Sequence, residues 1–159
     1  MKRIILSAIV MAFTFGAFAQ IKSEDLAIIQ SVYSKDKADI IKSKLNLSDA
    51  QGKAFWPLYD QYEAKRVSLS NQRAAIINDY LKGYEKLNGQ SSNALMTRVF
   101  ANDKAFTNLQ QSYFPQFATA VGGKNAAKFY QLENYLQLIV RLHVQDEIPF
   151  IGELDKERH

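Results

Sequence analysis

The sequence predicts an all-α protein, a four-helix elongated hairpin with kinked long helices. Three observations lead there. Apolar residues recur at steps of three and four along nearly the whole chain, with no alternating stretch that would make a strand. Helix-start and helix-stop signals fall in matching places. Two prolines, Pro57 and Pro115, lie inside long periodic segments, where each should bend its helix.

The first residues, "MKRIILSAIVMAFTFGAFAQ", are no part of that fold. Lys2 and Arg3 form a positive start, Ile4 to Phe15 an apolar core, and Ala17-Phe18-Ala19 a small-x-small cleavage site. The run is too short to span a membrane and ends as a leader does, so residues 1–19 are expected to be a cleaved secretory signal peptide. Gln20 would then begin an exported, periplasmic chain. Residues 20–151 are expected to form one helical domain, and residues 152–159 a charged, frayed tail.

Without Lys2 and Arg3 the 20 basic residues fall to 18, against 16 acidic ones, a net charge of +2. So small a charge makes no case for nucleic-acid binding. The chain has no cysteine, so no disulfide can staple it and packed apolar surface must hold it together.

The helices follow in order. The first is expected to run from Ser23, an N-cap before Glu24 and Asp25, through Leu26, Ile29, Ile40 and Ile41 to Leu45. The second opens in "LNLSDAQGKAFWPLYDQYEAKR", where Ser48 and Gln51 have the spacing of a capping box. Its apolar positions continue to Leu87, a length of roughly 60 Å at 1.5 Å per residue. "NGQSS", Asn88 to Ser92, reads as a turn. The third helix runs from about Ser92 to Val121 and stops at Gly122 and Gly123. The fourth carries Phe129, Leu132, Leu136, Ile139, Val140 and His143 on one face, and Pro149 closes it. Leu47, Gln51, Phe55, Trp56 and Leu58 have a faint echo in Val121, Asn125, Phe129, Tyr130 and Leu132.

Catalytic chemistry is sparse. The histidines, His143 and His159, lack acidic neighbours at metal-ligand spacing, and His143 reads as a buried, hydrogen-bonded core residue. There is no phosphate loop, nucleophile elbow or paired histidine–glutamate motif. Asp60 and Glu63 read as a solvated face beside Lys65 and Arg66. Neither catalytic residues, a metal nor a cofactor is expected, and the chain is not read as an enzyme. The candidate binding surface is Phe55, Trp56, Tyr59, Tyr62, Arg66 and Arg73. The aromatics can be core or the lining of a groove. The arginines in their stripe must be paired or stand at its margin.

"LSDAQ", Leu47 to Gln51, resembles the Leu-Thr-x-x-Gln signature of the Spy/CpxP-like family of periplasmic proteins, with Leu47, Ser48 and Gln51 as the motif and serine in place of threonine. "KAFWPLYDQYEAKR" and "KFYQLENYLQLIVRLHVQDEIPFI" look like a Bacteroidetes-type branch of exported helical proteins, so the resemblance spans about Lys37 to Ile151. It implies an antiparallel homodimer with a concave face. It further implies an ATP-independent chaperone or envelope-stress protein whose partners are unfolded or partly folded envelope proteins. The alternative is a signalling adaptor docking on a membrane stress sensor or anti-sigma factor. Two departures stand out: Met96 is the one methionine beyond the leader, and the second signature is reduced to "VGGKN", Val121 to Asn125.

Overall fold

The computed structural model describes residues 37–146 and 148–151: helices, the turns that connect them and a short irregular stretch after the last helix. The leader, the start of the first helix at Ser23, the tail and His159 lie outside the described residues. Four helices follow in order, and no strand occurs among the described residues. They are α1 (37–45), α2 (Asp49–Gly83), α3 (Gly89–Val121) and α4 (Gly123–Asp146).

In α1, Lys37, Ile41 and Leu45 recur every fourth residue and are all buried, which sets one face against α2 and α4. Asn46 ends the helix in the left-handed region, φ 49°, a conformation asparagine tolerates better than most residues. Ser48 then caps α2: its hydroxyl accepts from the Gln51 amide at 3.3 Å and its own amide donates to Gln51 Oε1 at 3.1 Å.

The expected boundary between the second and third helices needs correction. α2 ends at Gly83, a short 3-10 turn covers Tyr84–Lys86, and α3 already starts at Gly89. Asn88 and Ser91 form a second capping box, the Ser91 amide donating to Asn88 Oδ1 at 3.0 Å and the Asn88 amide to Ser91 Oγ at 3.0 Å. "NGQSS" is thus a helix start whose cap residues also read as turn residues.

Neither proline interrupts its helix. Pro57 and Pro115 both lie exposed, as do Lys53 and Gln111, the residues four positions earlier whose carbonyls lose a donor. On an exposed side water can meet those carbonyls, so much of the cost of an internal proline is avoided.

Contacts fix the topology. Phe55–Phe117 and Tyr62–Tyr113 ring pairs and the Arg98–Asp79 ion pair make α2 and α3 an antiparallel hairpin. The same register sets Pro57 opposite Pro115. Phe117–Phe129, Phe114–Tyr130 and Gln110–Asn134 lay α4 antiparallel to α3 and parallel to α2. Beyond α4 the chain returns to α2, where the Tyr80 hydroxyl donates to the Pro149 carbonyl at 2.7 Å. The core therefore lies at one end, the head, where α1 and α4 both cover the hairpin. Its centre is Phe55, Tyr59, Tyr62, Tyr113, Phe117 and Phe129.

Candidate functional site

The sequence motif is a structural staple. Gln51 closes the capping box with its carbonyl oxygen and donates from Nε2 to the Val121 carbonyl at 3.0 Å. Asn125 Nδ2 donates to the same carbonyl at 3.2 Å. The motif thus ties the start of α2 to the corner between α3 and α4, and Leu47 packs against the core beside it. That corner is a single residue, Gly122, at φ 84° and ψ 148°, a region open to glycine and almost nothing else. The positions that echo each other in sequence meet here: Gln51 and Asn125 share an acceptor, and the Phe55 and Phe129 rings touch edge to face at 5.3 Å.

The six candidate surface residues do not form a surface. Phe55, Tyr59, Tyr62 and Arg66 are buried, while Trp56 is half-buried with its ring against Phe55 and Tyr59. The core reading of the aromatic stripe is the one the fold adopts, because α1 and α4 close over it. Arg73 lies two turns further along α2, away from that cluster.

Around Arg66 the helices bury four charges. Lys37 Nζ donates to Glu63 Oε2 at 2.6 Å and to Glu133 Oε1 at 3.0 Å, and stands 2.7 Å from Glu133 Oε2 as an ion pair. Arg66 donates to both oxygens of Glu63, at 2.6 and 2.8 Å, and its Nη1 donates to Ser70. Glu133 Oε1 also accepts from the Tyr62 hydroxyl at 3.2 Å and from Gln137 at 2.7 Å. Lys37 and Glu133 are fully buried. Two cations and two carboxylates from α1, α2 and α4 thus balance with most of their hydrogen-bonding capacity used, the condition under which buried charge is tolerated. The expectation that Glu63 sits on a solvated face is overturned; Asp60, three residues earlier, does lie exposed.

The electrostatics follow from burial. Burial pushes the Glu63 carboxyl up, but hydrogen bonds and charge from Arg66 and Lys37 outweigh it and hold the carboxyl below its ordinary range. Burial pulls Arg66 down, and pairing with Glu63 and the charge of Glu133 reverse that to a net rise. Burial, reinforced by Glu63 and Glu133, raises both the Tyr59 and Tyr62 phenols far above their ordinary value. The Tyr59 hydroxyl is buried with no hydrogen-bond partner among the described residues. A phenol so placed stays neutral.

Arg73 joins a second, more open cluster. It donates to Asn102 Oδ1 at 3.0 Å and pairs with Asp103, which Arg141 of α4 approaches at 3.3 Å. Asn102 in turn donates to the Leu69 carbonyl at 2.9 Å. Both arginines of the stripe are therefore paired.

Two hollows lie along the helices. A cavity of about 10 Å³ lies between Tyr62, Tyr113, Phe117 and Glu133, room for a single water. An open groove of about 350 Å³ follows the hairpin past Ala75, Arg98 and Ala101. Among the described residues no three of His, Cys, Asp and Glu gather as metal ligands, and no helix is long and apolar enough to cross a membrane. His143 is exposed rather than buried. The inner face of α4 is Ala126, Phe129, Glu133 and Leu136, whereas Ile139 is 44 % exposed.

Sequence reasoning missed Lys37 and Glu133, though both carried a signal. Lys37 precedes Ile41 and Leu45 at four-residue steps, and Glu133 lies between Phe129 and Leu136. It also missed an apolar set on the outside of α4 (Tyr135, Leu138, Ile139 and Leu142), all exposed. Compared with protein-family models, curated proteins and solved structures, the chain finds no match in any of the three.

Proposed function

We infer that this chain is an exported helical binding protein that engages segments of other polypeptides, an ATP-independent chaperone or envelope-stress protein of the Spy/CpxP-like type. One observation carries the reading. Large apolar side chains stand on the outside of an otherwise well-packed body, Phe100 at 64 % exposure and Met96 at 45 % one turn before it on α3. Exposed apolar clusters of this kind commonly mark protein–protein contact. Side chains presented on an open helical surface suit contact with an extended or partly folded chain. The leader-like N-terminus and the Leu47–Gln51 motif support export and the family type.

The test is light scattering from a chemically unfolded protein diluted into buffer with the chain purified as its cell processes it. Near-stoichiometric suppression, weakened by Phe100→Ser with Met96→Ser while the circular dichroism is unchanged, is the expected outcome. No suppression at a large excess sinks client capture and leaves the adaptor that docks on one membrane sensor or anti-sigma factor. Tyr62 and Arg66 are unsuitable probes, because changing them disturbs the core.

A further inference from the structure

We propose that the outer side of α3 and α4 is a docking face for a lipid bilayer with anionic headgroups. Phe100, Leu138 and Leu142 enter the surface while Lys104 and Lys128 meet the phosphates. This goes beyond the capture of polypeptides and does not rest on it.

Among the described residues, the large apolar side chains left exposed on the helices belong to α3 and α4, and none to α1 or α2. α4 turns Ala126, Phe129, Glu133 and Leu136 inward. At 3.6 residues per turn, Tyr135, Leu138 and Leu142 fall on the opposite side, at 62, 64 and 61 % exposure. Phe100, 64 % exposed, stands one turn before Asp103, on the side of α3 that reaches α4. The Gln110–Asn134 and Asp103–Arg141 contacts fix the register of the two helices. That register sets Phe100 beside Leu142 and Lys104 across from Leu138 and Leu142. The apolar patch therefore runs from one helix onto the other.

Charge selects the occupant. On that outer side stand Lys104, Lys124 and Lys128, all exposed. The acid on that side is Asp146 in the last turn of α4, and it is already engaged within its own chain. α2, by contrast, balances exposed Asp49, Asp60 and Asp79 against exposed Lys53, Lys65 and Lys82. An apolar centre flanked by lysines is the pattern of helices that lie in a membrane interface. There leucine and phenylalanine sink below the headgroups, and lysine stems reach up to the phosphates. No described helix is long and apolar enough to cross a bilayer, so the pair lies on it, with the end away from the head foremost.

The test is co-sedimentation of the chain, purified as its cell processes it, with vesicles of two kinds. One kind holds phosphatidylglycerol and phosphatidylethanolamine, the other phosphatidylcholine alone. At about 50 mM salt the anionic vesicles are expected to carry the chain down and the neutral ones to leave it in solution. Salt at about 500 mM should release most of it. Leu138→Glu should lower the partition at least about tenfold with the circular dichroism unchanged, because an exposed side chain is not part of the core. Lys104→Glu with Lys128→Glu should lower it at least about thirtyfold, the worth of two lysines at an anionic surface. The same change of charge on α2, Lys53→Glu with Lys82→Glu, should lower it far less. A chain that stays in solution with every vesicle overturns the proposal and leaves the face to a polypeptide partner. Equal losses from the two lysine pairs overturn it as well, since net charge alone would then account for the binding.

Discussion

Arg66 and Arg73 stand two turns apart on the same stripe of α2, yet they live in different worlds. Arg66 is almost fully buried, holds Glu63 with two hydrogen bonds, and is raised above its ordinary basicity. Arg73 keeps 24 % of its side chain exposed, shares Asp103 with Arg141, and is lowered, burial and the nearby Arg141 outweighing Asp103. The helix beneath them is continuous. What differs is the covering: at the head, α1 and α4 bring Lys37 and Glu133 over the hairpin, while further along α2 faces α3 with thinner cover. An arginine in an apolar stripe therefore reports how many helices surround it more than which helix it belongs to.

The contrast can be broken at its strong end first. Glu133→Gln leaves Lys37 and Arg66 buried with one carboxylate between them and is expected to cost about 3–5 kcal/mol in urea unfolding. Lys37→Met combined with Glu133→Leu should recover most of that loss, because a packed apolar pair needs no desolvation of charge. If the single change costs under ~1 kcal/mol, the charges of the head are wetter than the burial indicates. Phe129→Ala, which removes a ring in contact with Phe55, Tyr59, Tyr62 and Phe117, should likewise cost about 3–5 kcal/mol, against about 1 kcal/mol for Ile76→Val in the thinner half.

Acid and alkali should act on the head as well. The Glu63 carboxyl is held below its ordinary value near 4.5. The unfolded chain therefore takes up that proton first, and stability is full above about pH 4.5 and lost as pH falls through the lower folded value. The Tyr59 and Tyr62 phenols are raised above 10.0. Their contribution is full below pH 10 and falls away above it, as the unfolded chain ionises while the folded one does not. Thermal midpoints across pH should show a plateau between these limbs, and Glu63→Gln should flatten the acid one.

Smaller effects sharpen the comparison. Gly122→Ala forces a side chain into backbone geometry that glycine alone adopts easily and should cost about 1–3 kcal/mol, loosening the corner that Gln51 staples. Arg73→Gln should cost at most about 1 kcal/mol, because Asp103 is 43 % exposed and solvent screens the pair. A larger loss would mean that the distal half is as closed as the head.

Much of the fold was legible because helical periodicity, the Ser48–Gln51 box and the Gly122 stop are local signals. The boundary at Asn88 was not, since asparagine and serine serve turns and helix caps with the same hydrogen bonds. The candidate surface was misplaced for a different reason. The stripe Phe55, Tyr59, Tyr62 and Arg66 announces that something packs on α2, but only the return of α4 and the approach of α1 decide that the covering is the chain itself. Glu63 looked solvated beside Lys65 and Arg66 because the residue that joins Arg66 in closing over it, Lys37, lies 26 residues away. His143 was assigned to the core by extending the Phe129 face one turn too far, where α4 begins to turn its second apolar side outward.

Lys37 has a consequence for anyone who labels this protein. Its amine is sealed between two carboxylates and the faces of Tyr59 and Tyr62, so amine-directed acylating reagents should reach it only when α1 lifts away. Exposed lysines such as Lys53, Lys104 and Lys128 should react at once. The lag of Lys37 behind them, followed by mass spectrometry, is a clock for the opening of the head that requires no mutation.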